Sequence, residues 1–87
     1  MPPTVFIVDD DSSVRKSLER LLRASGFTTQ AFASAEDFLA CRPCQNPKEP
    51  ACLVLDVRMP GISGINLQQK LAKTGIILPV VFITGHG

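Results

Sequence analysis

Apolar residues in this chain fall into two kinds of run. Val5-Phe6-Ile7-Val8, Cys52-Leu53-Val54-Leu55 and Val80-Val81-Phe82-Ile83 are short unbroken blocks rich in β-branched and aromatic side chains. Such blocks, apolar without alternation, suit strands of a parallel sheet whose two faces are both covered by helices. Between the blocks the spacing changes. Val14, Leu18, Leu21 and Leu22 recur at four, seven and eight residues, one face of a helix, and predict a helix over residues 13–25. Asp11, Ser12 and Ser13 offer cap oxygens to its exposed amides, and Gly26 can take the left-handed conformation that ends it.

The same reading carries on down the chain. A strand is predicted over residues 27–32, and Ser34-Ala35-Glu36-Asp37 has the form of a capping box opening a short helix through Phe38 and Leu39. Residues 42–50 hold three prolines and little apolar material, so they form a loop into a strand over 51–55. Met59-Pro60-Gly61 makes a turn, Ile65, Leu67 and Leu71 mark a helix over 64–73 stopped by Gly75, and a last strand covers 80–83. The order is βαβαβαβ, a parallel α/β architecture that gathers its chemistry at the carboxyl ends of the strands.

Composition narrows the setting. With 87 residues there is room for one domain, and 45% hydrophobic with 20% charged residues is the balance of a soluble globular protein. No apolar run approaches the roughly 20 residues of a membrane span, and Met1-Pro2-Pro3-Thr4 does not open a secretory peptide, so no membrane contact and a cytoplasmic location are expected. A formal charge of +1 gives no general attraction to nucleic acid; Arg15, Lys16, Arg20 and Arg23 read as the wet face of the first helix, with no direct nucleic-acid contact by this segment. Cys41, Cys44 and Cys52 are odd in number, and reduced thiols are expected. The two-residue gap between Cys41 and Cys44 suits redox or zinc chemistry, but lone Cys52 and distant His86 make a poor second pair of ligands. A helix end and loop with incidental thiols is the simpler reading, with Cys52 a small hydrophobe in its strand.

The candidate chemistry is acidic. Asp9, Asp10 and Asp11 follow the first apolar block directly, and Asp56 closes the block at 52–55. In a parallel sheet both blocks end on one edge, so the carboxylates meet in one pocket, where their repulsion calls for a cation. Hard oxygen donors suit Mg²⁺. Asp11 reads first as a helix cap. Asp9 and Asp10 fit that role less well, since capping needs one carboxylate, and Asp56 caps nothing before Pro60. Thr84 falls at the end of the last strand and His86 reads as a solvent-facing loop residue. A phosphatase built on an aspartyl phosphate would want a second aspartate at position 58, which is Arg58, and a nucleotide or flavin binder would want a glycine-rich turn where three carboxylates stand.

Val8-Asp9-Asp10-Asp11, the stretch Leu-Asp-Val-Arg-Met-Pro-Gly-Ile-Ser-Gly at 55–64 and Phe-Ile-Thr-Gly-His-Gly at 82–87 together resemble the receiver domain of bacterial two-component response regulators. Ser-Val-Arg-Lys-Ser-Leu at 13–18 resembles the FixJ/NarL type, whose receivers precede a helix-turn-helix output domain in transcription regulation. The resemblance implies a flavodoxin-like (CheY-like) doubly wound parallel α/β sheet in the order 2-1-3-4. It implies that Asp56 is the phosphoacceptor, not an enzyme's catalyst, taking a phosphoryl group from a sensor histidine kinase. By the same resemblance Mg²⁺ is held by Asp10, Asp56 and the backbone carbonyl of Arg58, with Asp9 acting through water, and Thr84 is the switch hydroxyl. A complete receiver continues through a helix, a strand bearing a lysine and a further helix, so residues 1–87 are expected to be a partial receiver. Its last strand would be an open apolar edge, for which a homodimer, a domain-swapped assembly or a longer parent chain is expected. The alternative function is a receiver-like interaction or dimerisation module that is not phosphorylated.

Overall fold

The computed structural model describes residues 3–41, 50–56, 64–73, 75 and 78–83. In chain order they form β1 (Thr4–Val8), α1 (Ser12–Ala24), β2 (Thr28–Phe32), α2 (Ala35–Ala40), β3 (Ala51–Asp56), α3 (Gly64–Lys73) and β4 (Val80–Ile83). The strands make one parallel sheet in the order β2-β1-β3-β4, as the resemblance implied. Among the described residues no helix is long and apolar enough to cross a membrane.

Local chemistry sets the helix ends. Asp11 is the N-cap of α1: one carboxylate oxygen accepts from the amides of Ser13 at 2.8 Å and Val14 at 3.3 Å. Gly26, at φ 96°, takes the positive φ that turns the chain from α1 toward β2. Ser34 caps α2 by accepting from the Asp37 amide at 3.1 Å, the first half of the capping box. Gly75, at φ 77°, follows α3 in the same role.

Alternation along the strands divides the sheet into two faces. Phe6 and Val8 of β1 and Leu53 and Leu55 of β3 join Ala35 and Phe38 of α2 and Leu67 and Leu71 of α3 in one buried cluster. Phe38 is its pivot, fully buried, with ring centroids 5.7 Å from Phe6 and 5.4 Å from Phe32, the latter edge-on. The opposite face carries Val5 and Ile7, both buried, with α1 packed against β1 and β2. Register then puts Cys52 beside Val5, Val54 beside Ile7 and Val81 beside Val54 on that face. Val81 is 52% exposed, so the cover does not reach β4.

Three expectations change. Leu21, expected in the inward stripe of α1, is 63% exposed, because α1 packs on β1 and β2 and leaves this residue largely in water. Ile65 is likewise half exposed, while Leu67 and Leu71 carry the packing of α3. Cys41 is disulfide-bonded where a reduced thiol was expected; it stands just past the end of α2, its partner lies outside the described residues, and Cys52 is free. The turn at Met59-Pro60-Gly61 lies outside the described residues.

Candidate functional site

The register that builds the sheet also builds the site. Val8 stands opposite Leu55, so Asp9 and Asp56 lie one residue beyond a matched pair on adjacent strands. The Asp9 amide donates to the Phe32 carbonyl at 3.2 Å, extending the β1–β2 pairing by one step and fixing where the turn begins. From Asp9, Asp10 and Asp56 one carboxylate oxygen each lies within 4.8 Å of the others. Asp9 is 1% exposed, Asp56 is fully buried, and Asp10 opens to solvent. Two of the three carboxylates are thus buried at the strand ends while the third faces water.

Asp9 shows what this costs. One of its oxygens accepts from the Asp11 amide at 2.8 Å, while the other, Oδ2, is buried and makes no hydrogen bond. Burial pushes its carboxyl above the ordinary carboxylate range; the Asp11 amide pulls the other way, and the charges of Asp56, Asp10 and Asp11 push it up further. An orphaned buried carboxylate oxygen among two more carboxylates is a strained arrangement for protein atoms alone and a suitable one for a divalent cation. The donor set fits such an ion: all three side chains offer hard oxygen and none offers nitrogen or sulfur.

The structure therefore brings together Asp9, Asp10 and Asp56 from two separate stretches and leaves Asp11 as the cap. Arg58 and Thr84 lie outside the described residues, as does His86. One participant escaped the sequence reading. Arg15 is not part of a freely wet face but half-buried, and its Nη1 donates to the Asp9 carbonyl at 2.7 Å. The signal available was a cation near the start of a helix, where the macrodipole disfavours positive charge. Arg23 is engaged too: its Nε donates to the buried Thr29 hydroxyl at 2.7 Å and its guanidinium pairs with Glu19 at 3.1 Å.

Comparison with known proteins gives the same fold and the same segment. The family model of the response regulator receiver domain matches residues 5–87. Nodulation protein W of Bradyrhizobium diazoefficiens is 48% identical over 83 residues, covering 95% of this chain and 35% of the relative. Among solved structures, the response regulator StyR superposes with a TM-score of 0.88 at 52% identity, over 100% of this chain and 42% of that one. FixJ-N superposes with a TM-score of 0.86 at 44% identity, over 100% of this chain and 67% of that one. This chain spans about a third of the length of the curated relatives it matches, and TdiR of Thauera aromatica, 46% identical, is a transcriptional regulatory protein. With an acidic pocket at the ends of β1 and β3, a sheet in the order β2-β1-β3-β4 and a family match over nearly its whole length, the chain belongs to the receiver domains of two-component response regulators.

Proposed function

We propose that this receiver takes a phosphoryl group on Asp56 from a phosphohistidine of a sensor kinase, in a Mg²⁺-dependent reaction that controls an output in transcription. The observation that carries the reading is the convergence of Asp9, Asp10 and Asp56 oxygens within 4.8 Å, with a buried Asp9 oxygen left without a partner. A carboxylate oxygen of Asp56 would attack phosphorus while the bond to the histidine nitrogen breaks and the imidazole leaves. Asp56 stands at the end of a strand buried in the sheet, which holds the nucleophile in place so that positioning does much of the work. Asp10 and Asp56, with the Arg58 carbonyl, would hold the ion directly and Asp9 through water. A bound Mg²⁺ supplies neutralisation of the charge shared by the carboxylates and the phosphoryl oxygens. The Thr84 hydroxyl would donate to the new phosphoryl oxygens and so move its loop.

Intact-mass measurement after incubation with acetyl phosphate and Mg²⁺ tests this. The expected result is one added phosphoryl mass that needs the metal and is lost in Asp56→Asn. No added mass under any condition would instead favour a module that signals by assembly. The observation favouring assembly as an accompaniment is β4, an apolar strand at the end of the sheet order with Val81 half exposed.

A further inference from the structure

The turn after β1 is tied at three points. Phe32 receives the Asp9 amide, the Asp9 carboxylate receives the Asp11 amide, and the Asp9 carbonyl receives the Arg15 guanidinium at 2.7 Å. The third tie is unusual in its surroundings. Arg15 sits near three consecutive aspartates, yet among the described residues it forms no ion pair and donates to main chain instead. A guanidinium paired with a carboxylate would cancel charge that a cation needs; one bound to a carbonyl fixes the backbone and leaves the carboxylates available.

Resting on the reading of Asp9, Asp10 and Asp56 as the Mg²⁺ site, we propose that Arg15 is a positioning residue for that site, holding the turn from which Asp9 and Asp10 reach the ion. Two effects oppose each other in Arg15. Its charge repels a cation, and at short range, since the guanidinium lies 2.7 Å from the Asp9 carbonyl. Its hydrogen bond orders the carbonyl of a ligand-bearing residue, and outer-shell partners of this kind typically change metal affinity about 10- to 100-fold. On this proposal positioning is the larger of the two effects.

The test is Mg²⁺ titration by calorimetry on the 87-residue chain, comparing wild type, Arg15→Lys and Arg15→Ala, with the metal-free melting temperature recorded for each. Arg15→Ala is expected to weaken Mg²⁺ binding about 10-fold, and Arg15→Lys, which keeps the charge without the planar fork, to fall between it and wild type. In ¹H–¹⁵N spectra of the metal-free chain the Asp10 and Asp11 amides are expected to shift in Arg15→Ala. Equal or tighter Mg²⁺ binding by Arg15→Ala, with or without a lower melting temperature, overturns the proposal, because a merely structural or merely electrostatic role gives that result. Should Arg15→Ala fail to fold, an Arg15→Lys affinity equal to that of wild type overturns it equally. Absence of Mg²⁺ binding by wild type overturns the underlying site reading instead, so the two failures are distinct.

Discussion

At the scale of single residues, charge and burial compete most sharply at Asp9. Its carboxyl is raised above its ordinary value by burial first and by neighbouring carboxylates after, against the pull of the Asp11 amide. A raised acid favours the folded state when protonated, so its contribution is fully present below the unfolded value of about 3.9 and is lost as pH rises through the folded value. As pH rises through that folded value the metal-free protein takes on the cost of ionising the buried group. Asp9→Asn is expected to melt at a higher temperature than wild type at pH 7 without metal, and the gap to close as pH falls toward 4. Adding Mg²⁺ is expected to raise the wild-type melting temperature and to raise that of the variant less. Circular dichroism melts across pH, with and without the metal, check this; a variant that melts lower at pH 7 without metal would remove repulsion from the account. Asp9, Asp10 and Asp56 were legible in the sequence because topology alone brings strand ends together. Arg15 was not, because a bond from a side chain to a main-chain carbonyl leaves no matching partner to read.

At the scale of elements, the unbroken apolar blocks declared β1, β3 and β4, and the Ser34 cap declared α2, all close to their observed positions. Helix faces were harder. Periodicity gives the direction of an apolar stripe but not its width, and Leu21 and Ile65 fall at margins whose cover depends on what packs alongside. The contrast with Phe38 is instructive. A helix of six residues has little stability of its own, and α2 is held to the sheet by Phe38, seated between Phe6 and Phe32, together with buried Ala35. Phe38→Ala is expected to cost about 3–5 kcal/mol, a large share of the stability of a domain this small. With no Trp or Tyr to report by fluorescence, urea unfolding followed at 222 nm by circular dichroism is the suitable measurement. A loss below about 1 kcal/mol would mean that α2 is anchored elsewhere.

At the scale of the whole molecule, cover is uneven. The face built on Phe6, Val8, Leu53 and Leu55 is packed by two helices, whereas on the other face α1 serves β1 and β2 and leaves Val81 half exposed. Among the described residues β4 is the last strand in the sheet order, and an apolar strand in that place invites pairing with a second copy. Sedimentation velocity is expected to show reversible self-association of the 87-residue chain at tens of micromolar, and Val81→Lys to shift it toward monomer, since a charge there is a barrier to edge pairing. Equal sedimentation of the two proteins would place any association elsewhere.

The match of Val8 with Leu55 has a consequence for how the chain finds its fold. Side chains on a strand repeat every two residues, so sliding β3 by two positions past β1 would keep the same faces inward, though it would carry either Leu55 beyond the end of β1 or Asp56 in beside Ile7. That phase error would nonetheless carry Asp56 roughly 6.6 Å along the strand, out of the company of Asp9 and Asp10. Burial already disfavours such slips, and on the proposed reading a doubly charged ion drawing on both strand ends would disfavour them further, so the cation would act as a proofreader of strand pairing as well as an aid to phosphoryl chemistry.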